Sequence, residues 1–135
     1  MLVIDASATT DLLLARPIAE EIAGHIADHA HDLHAPHLLD VEVVSAVRRL
    51  VMAGESTQAR AFEAIADLLE LPIVRYPHEI LVPRIWDLRD NFSAYDAAYL
   101  ALAEALIDEG VPLLTTDDRF ARATRAHTGI DVLVA

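Results

Sequence analysis

The sequence predicts an α/β domain of three layers, in which a mostly parallel central sheet is flanked by helices. The first observation behind this prediction is that short apolar runs alternate with longer segments of helical periodicity along the chain. The second is the length of 135 residues, which fits one domain, so residues 1–135 are predicted to form a single unit. The third is the composition, which is 54% hydrophobic with only 4 Gly and 6 Pro and therefore excludes a disordered or low-complexity chain.

The first half of the chain opens on MLVID, a short apolar run that predicts a strand. Two helical segments follow, then a second short strand that stops at a proline, and then a long amphipathic helix. The predicted elements are strand 2–5, helices 7–15 and 17–31, strand 32–35 ending at Pro36, and a helix from residue 38.

The second half of the chain continues the alternation of strands and helices. Its YDAAYLALAEA segment is apolar on nearly every side, which is typical of a buried central helix rather than a surface helix. The predicted elements are helix 56–70, strand 72–76, helix 78–90 containing Pro83, helix 94–109, strand 112–116, helix 117–127 and strand 131–134.

The chain is strongly acidic, with a formal net charge of −12, which argues against tight nonspecific binding of nucleic acid by the protein alone. All ten basic residues are Arg, so contacts to anions must come from guanidinium groups, backbone amides or bound cations. The absence of Cys excludes thiol chemistry and suits a reducing compartment. Because neither a signal peptide nor a membrane-spanning run is recognisable, a cytoplasmic protein without membrane contact is expected.

Four acidic positions lie in or at the end of apolar segments that are far apart in the chain. Asp5 and Asp117 follow predicted strands, so both are expected at strand carboxyl ends, where open parallel sheets bind ligands. Glu42 lies on a mostly apolar helical stripe, and Asp96 opens the buried helix. Buried carboxylates are costly unless they are hydrogen-bonded, paired with a base or bound to a cation. A set that converges on one pocket would favour the cation.

Each of these acids also has a structural explanation. Asp5 could end its strand and cap the helix that follows. A Ser-x-x-Asp capping box would account for Asp96, and Asp117 with Asp118 could stabilise the start of the last helix. Glu42 has the weakest structural explanation, because it lies inside a helix and away from both ends.

Other polar residues near these positions are less specific. Ser7 and Thr115 could orient carboxylates or water, or could be local caps. Asp40 is interpreted as a first-turn acid that faces solvent. The five histidines between 25 and 37 are interpreted as surface residues, since they lack an HExxH arrangement and no Cys completes a zinc site. Five arginines could contact phosphates, although solvated helix faces are the commoner explanation: Arg48, Arg49, Arg119, Arg122 and Arg125.

Four segments in this order, LVIDAS, PHLLDVEVVSAVRR, SAYDAAYLALAEA and LLTTDDRFARA, resemble those of the PIN-domain nucleases. The resemblance is closest to the VapC-like toxins of bacterial and archaeal toxin-antitoxin modules, and it spans essentially the whole chain. It implies an acidic quartet that holds Mg²⁺ or Mn²⁺, formed by Asp5, Glu42, Asp96 and Asp117. It also implies that Asp118 competes with Asp117 as the fourth ligand, and that Ser7 and Thr115 support the site.

The resemblance further implies a small endoribonuclease that forms a homodimer and is neutralised by a cognate antitoxin with a basic C-terminal segment. Oxygen ligands of this kind suit a metal that activates water for in-line attack on phosphorus, and the cation would also attract RNA to an acidic pocket. Two alternatives stay open: a non-catalytic acidic binding module, and a stand-alone PIN nuclease without an antitoxin. A phosphoacceptor signalling domain is disfavoured because the chain has no Lys.

Overall fold

The structure is a computed structural model that describes residues 1–134. Its strands are β1 (Leu2–Ile4), β2 (Leu33–Pro36), β3 (Ile73–Tyr76), β4 (Leu113–Thr115) and β5 (Val132–Val134). Within the described residues they form one five-stranded sheet in the order β3-β2-β1-β4-β5, and every pairing is parallel. The predicted α/β class is confirmed. The predicted domain extends to Ala135, which lies outside the described residues.

Seven α-helices flank the sheet in residues 1–134, and no helix there is both long and apolar enough to cross a membrane. A short 3₁₀ turn at Glu79–Leu81 precedes the fifth helix. The helices are α1 (Ala6–Leu13), α2 (Ala19–Asp28), α3 (Leu38–Met52), α4 (Gln58–Glu70), α5 (Val82–Asp87), α6 (Ala94–Leu106) and α7 (Asp118–His127).

Several predicted helices are wrong in their extent. The helix predicted at 7–15 ends at Leu13, and the helix predicted at 94–109 ends at Leu106. The helix predicted at 17–31 ends at Asp28, because Ala30 and His31 adopt φ values of 57° and 56°. That left-handed conformation cannot continue a right-handed helix. The helix predicted at 78–90 is divided into the 3₁₀ turn and α5, because Pro83 lacks an N–H and is accepted only in the first turn of a helix.

Helix α6 is the central helix of the fold, as its apolar pattern predicted. Seven consecutive residues, 97–103, are buried in it. A helix buried on all sides fixes the position of whatever its first turn carries, because it has no freedom to rotate. The first turn of α6 carries Asp96.

The order of the strands places the site. The central strand β1 has β2 on one side and β4 on the other, so the direction in which the sheet grows reverses beside β1. Open parallel sheets bind ligands outside the carboxyl ends of their strands at such a reversal. Asp5 follows β1 directly, and Asp117 lies two residues beyond the end of β4. The first and last of the four acids therefore meet at the edge where a ligand is expected.

Candidate active site

The four predicted acids line one pocket, although they are spread over 113 positions of the chain. The pocket has a volume of about 400 Å³ and opens at the carboxyl end of the sheet. Asp5 and Asp117 come from the ends of β1 and β4, Glu42 comes from the second turn of α3, and Asp96 comes from the first turn of α6. The fold thus brings together the residues that the sequence analysis singled out.

Asp5 is the most tightly held of these acids and is only 5% exposed. Its Oδ1 accepts hydrogen bonds from the Ser7 hydroxyl at 2.7 Å and from the Ala8 N–H at 2.9 Å, and its Oδ2 accepts one from the Thr115 hydroxyl at 2.5 Å. The bond from Ala8 makes Asp5 the N-cap of α1. A carboxylate offers about four lone pairs, so one position on Oδ2 is left for a further partner.

The Ser7 and Thr115 hydroxyls connect Asp5 to the loop that carries Asp117. Each hydroxyl donates its proton to Asp5 and accepts a backbone N–H: that of Thr116 on Ser7 Oγ at 3.0 Å, and that of Asp117 on Thr115 Oγ1 at 3.0 Å. The two oxygens lie 3.2 Å apart, and both protons are already committed to Asp5. The pair therefore fixes the carboxylate of Asp5 and the backbone at Asp117 relative to each other.

Burial raises the pKa of Asp5 to about 6. The hydrogen bonds from Ala8, Thr115 and Ser7 act in the opposite direction, and the negative charge of Asp96 adds to the increase. In the metal-free protein the surroundings of Asp5 therefore disfavour its negative charge. A bound cation would offset this cost.

Glu42 is held by a residue of another helix. The hydroxyl of Tyr99, which is 2% exposed, donates to Glu42 Oε1 at 2.7 Å. Burial raises the pKa of Tyr99, and the Glu42 carboxylate raises it further, so the phenol keeps its proton and remains a donor. Glu42 Oε2 has no protein hydrogen-bond partner within residues 1–134 and belongs to a side chain that lines the pocket.

Asp96 is half-buried, and its carboxylate accepts no hydrogen bond from any residue in the described part of the chain. Only half of the capping box forms: the Ser93 hydroxyl accepts the Asp96 N–H at 3.1 Å, but no bond returns from the Asp96 side chain. Burial raises its pKa to about 6, and the charges of Asp117 and Glu42 contribute in the same direction. Helix capping therefore does not account for the carboxylate of Asp96.

Asp117 and Asp118 have different positions. Asp117 is the N-cap of α7, and its Oδ1 accepts the N–H groups of Arg119 at 2.9 Å and Phe120 at 3.1 Å while its side chain lines the pocket. Asp118 is the first residue of α7 and does not line the pocket, although both acids are exposed. Of the two candidates for the fourth ligand, Asp117 has the side chain in the pocket.

The oxygens that remain free suit a hard cation. Carboxylate oxygens are the ligands preferred by Mg²⁺ and Mn²⁺, and the unpaired Asp96 carboxylate has no other partner to satisfy it within the described residues. Across residues 1–134, no three Asp, Glu or His side chains are grouped closely enough to surround an ion directly. Mg²⁺ commonly keeps several of its waters and binds through one or two carboxylates, so an open acidic pocket fits it better than a closed cage would.

The pocket also contains residues that sequence reasoning missed. Tyr99 is three positions after Asp96 on the same helix, and this spacing on one helical face is the signal that could have found it. Asp11 lies four positions after Ser7 and accepts the Thr116 hydroxyl at 2.7 Å. Arg16, Thr10 and Ser45 also line the pocket.

The arginines suggested as phosphate contacts divide into separate groups. Arg49 lines the acidic pocket, whereas Arg48 lines an apolar depression between α3 and α4. Arg119 lines a smaller cavity of about 280 Å³ on the other side of Asp96 and Asp117. Arg122 and Arg125 line neither of the two cavities that contain Asp96.

Two other interpretations need correction. Asp40 is not a solvated acid, because it forms a bidentate pair with Arg75 at 2.7 and 2.9 Å. His34 is not a surface histidine: it is 5% exposed, with its ring nitrogens 2.7 Å from the Tyr76 hydroxyl and 2.8 Å from Asp32 Oδ1. The contacts of Asp40 with Arg75 and of His34 with Tyr76 join separate elements, so helical or strand periodicity alone does not reveal them.

Comparison with known proteins places the chain in a family. The model of the PIN domain family matches residues 2–126. Ribonuclease VapC9 of Mycobacterium tuberculosis (strain ATCC 25618 / H37Rv) is 39% identical over 133 residues, which cover 98% of this chain and 98% of the relative. Ribonuclease VapC12 of the same strain is 34% identical over 98% of this chain and 99% of the relative, and Ribonuclease VapC1 is 41% identical over 90% and 89%.

The fold has a solved counterpart as well. The crystal structure of PAE2754 from Pyrobaculum aerophilum superposes with a TM-score of 0.62 at 21% identity, covering 97% of this chain and 82% of that protein. At this identity the similarity concerns the fold alone. The family model and the full-length relatives are the stronger findings, and they show that this chain belongs to the PIN-domain family.

Proposed function

We propose that the protein is an endoribonuclease that depends on Mg²⁺ or Mn²⁺ and acts as the toxin of a toxin-antitoxin pair. The observation that carries this proposal is the convergence of Asp5, Glu42, Asp96 and Asp117 on one pocket at the carboxyl end of a parallel sheet. Support comes from three relatives named as ribonucleases, which match this chain over nearly its whole length.

The residues present fit a divalent cation, and each has a distinct part in holding it. Asp5, Asp96 and Asp117, with Glu42, are the proposed ligands. The hydroxyls of Ser7 and Thr115 hold the carboxylate of Asp5 in place. When bound, Mg²⁺ or Mn²⁺ supplies Lewis-acid activation of water and neutralises charge on the phosphate.

The reaction that follows is hydrolysis of a phosphodiester bond. The oxygen of a water molecule bonds to phosphorus in line with the leaving group, the bond from phosphorus to the 3′ oxygen breaks, and that oxygen takes up a proton. The products carry a 5′ phosphate and a 3′ hydroxyl. The chain contributes by fixing the carboxylates: Asp5 through its three hydrogen bonds and Glu42 through Tyr99.

The proposed partners come from the resemblance to VapC-like toxins, and the charge of the protein suits the first of them. A cognate antitoxin with a basic C-terminal segment would complement a protein of net charge −12 and would enter the acidic pocket in place of RNA. We also propose a homodimer. Copurification of the product of the adjacent gene would support the toxin assignment, whereas a nuclease that acts without such a partner would favour the stand-alone alternative.

A binding module without turnover is the second candidate, and two observations favour it. Asp5 and Asp117 cap α1 and α7, which gives both a structural role independent of metal. Capping does not explain the other two acids, because Asp96 has an unpaired carboxylate within the described residues and Glu42 lies inside α3, one of its oxygens held by Tyr99. These two residues separate the nuclease from the binding module.

The experiment compares Asp96→Asn with the control Asp90→Asn, which removes the same charge at an exposed position outside the pocket. Wild type and the control should cleave RNA with Mg²⁺ or Mn²⁺ and stop when EDTA is added. Asp96→Asn should lose more activity than the roughly 10- to 100-fold typical of outer-shell partners. Circular dichroism checks that the variant is folded. Cleavage that persists in EDTA would exclude a metal-dependent mechanism. Cleavage that persists in folded Asp96→Asn would exclude Asp96 as an essential metal ligand.

A further inference from the structure

The pocket is lined by more than the four carboxylates. Thr10 and Asp11 of α1 and Ser45 and Leu50 of α3 also line it. So do two arginines, Arg49 of α3 and Arg16, which follows α1. Two guanidinium groups in the pocket of the acids therefore need an explanation of their own.

The two guanidinium groups have N–H donors to spare. Arg49 donates to Ser45 Oγ at 3.2 Å and has no carboxylate within 4.0 Å among residues 1–134. Arg16 meets Asp11 Oδ1 through a 3.5 Å contact, while the other oxygen, Asp11 Oδ2, accepts the Thr116 hydroxyl at 2.7 Å. An arginine carries five donors, so both side chains could bind an anion while keeping their present contacts.

Three other arginines of the chain are already committed to groups of the protein. Arg75 is bound to both oxygens of Asp40, and Arg84 to both oxygens of Glu104. Arg89 lies over the ring of Trp86, with its guanidinium carbon 4.4 Å from the ring centroid. Arg16 and Arg49 differ from these in lining the pocket that also holds the acids.

The same pocket contains an unsatisfied polar group. The Thr10 hydroxyl is buried and is the one buried side-chain polar atom without a hydrogen-bond partner in the described residues. Arg16 also lines a second cavity of about 410 Å³, together with Pro17, Gly54 and Arg60. Arg16 therefore borders both the pocket of the acids and a cavity beside the start of α4.

We propose that Arg16 and Arg49 bind backbone phosphates of the RNA strand beside the bond that is cut. This inference rests on the proposed function and adds the path of the substrate to it. Guanidinium groups match phosphate oxygens in geometry and charge, and they are the only permanently cationic side chains that this lysine-free chain can offer. Contacts of this kind set the position of the strand and do not read its sequence.

Compensation of the acidic cluster is the competing explanation for the two arginines. A purely compensating arginine would affect stability, and it would change the affinity for RNA and its dependence on salt no more than any other arginine of the surface does. An arginine bound to phosphate affects both, because each neutralised phosphate releases counterions from the strand. Salt dependence therefore separates the two roles.

The binding experiment uses the wild-type protein, so that the proposed metal ligands stay intact, and a short fluorescent single-stranded RNA with phosphorothioate linkages, which keep the charge of the strand and resist cleavage. Arg16→Met and Arg49→Met are added to this background, with Arg48→Met as the matched control, since Arg48 is adjacent on α3 but lines a different depression. Fluorescence anisotropy in Mn²⁺ should show an affinity about tenfold weaker for the first two variants. The slope of log affinity against log salt should become shallower by about 0.7 for each phosphate that is no longer neutralised, and Arg48→Met should leave both values unchanged.

Kinetics in the wild-type background provide the second readout. Arg16→Met and Arg49→Met should raise KM about tenfold with kcat within about twofold, and Arg49→Lys should recover part of the loss because it keeps the charge. If the wild type cleaves RNA but both variants match Arg48→Met in affinity and KM, the phosphate role is wrong while the nuclease proposal stands. If the wild type does not cleave, the nuclease proposal fails, and unchanged RNA affinity in the binding experiment would then reject the phosphate role separately.

Discussion

The metal-free protein should become more stable as the pH falls from 7.5 to 5, and Asp5→Asn should remove part of that gain. Asp5 is 5% exposed, and burial raises its pKa from 3.8 to about 6. A carboxyl group whose pKa is higher in the folded state stabilises the fold when protonated. Its contribution is fully present below about 3.8 and is lost as the pH rises through about 6.

The size of the effect follows from the shift. At about 1.4 kcal/mol for each pKa unit, the full contribution of Asp5 is about 3 kcal/mol. About 1 kcal/mol of this stabilisation develops between pH 7.5 and 5. In that range Asp5 of the folded protein takes up most of one proton, while Asp5 of the unfolded chain takes up almost none. Saturating Mn²⁺ should reduce or reverse the trend, since metal binding requires the ionised carboxylate.

Urea unfolding in EDTA at several pH values between 5 and 7.5 measures the effect. The change in the free energy of unfolding between pH 7.5 and 5 is measured in wild type and in Asp5→Asn, and the value of the variant is subtracted from that of wild type. The subtraction is needed because other titrating groups, Asp96 among them, contribute to both proteins. If wild type gains about 1 kcal/mol more than Asp5→Asn as the pH falls, burial raises the pKa of Asp5 as expected. Equal pH dependence in the two proteins would show that burial does not raise the pKa of Asp5 in the folded state. A larger gain of stability with rising pH in wild type than in Asp5→Asn would show the same.

Three further outcomes are expected. Tyr99→Phe removes the donor to Glu42 and should lower activity about 10- to 100-fold with a small effect on folding, which a comparison of cleavage rates with thermal melts would show. Asp117→Asn should abolish cleavage whereas Asp118→Asn should keep it, and similar losses in both would contradict the choice of Asp117. Millimolar Mn²⁺ should raise the melting temperature of wild type by several degrees but not that of Asp96→Asn, as measured by calorimetry, because the metal binds only the folded state.

The positions of the four acids could be predicted because they depend on the pattern of apolar residues within single strands and helices. Asp5 and Asp117 follow apolar runs, and the carboxyl ends of parallel strands meet at one edge, so their position follows from the fold class. Asp96 and Glu42 are recognisable as carboxylates on apolar helical stripes. In each case the prediction needs only the identity of the element and the face of the residue.

Contacts between distant elements could not be predicted in this way. The spacing from Asp96 places Tyr99 on the same helical face, but its partner is set only by the fold, which brings Glu42 of α3 within 2.7 Å of its hydroxyl. Arg48 and Arg49 are equivalent in the sequence, and only the rotation of α3 decides which of them lines the pocket. Arg16 depends on where the chain runs after α1, which periodicity does not report.

The anomalous scattering of Mn²⁺ in crystals grown with millimolar MnCl₂ tests directly whether the four carboxylates bind a divalent ion. A divalent ion should appear in the pocket within coordination or water-mediated distance of Asp5, Asp96 and Asp117. The same crystals grown with Asp96→Asn should show a weaker peak there or none. Manganese found only at other positions, with the four carboxylates unliganded in well-ordered density, would contradict the account.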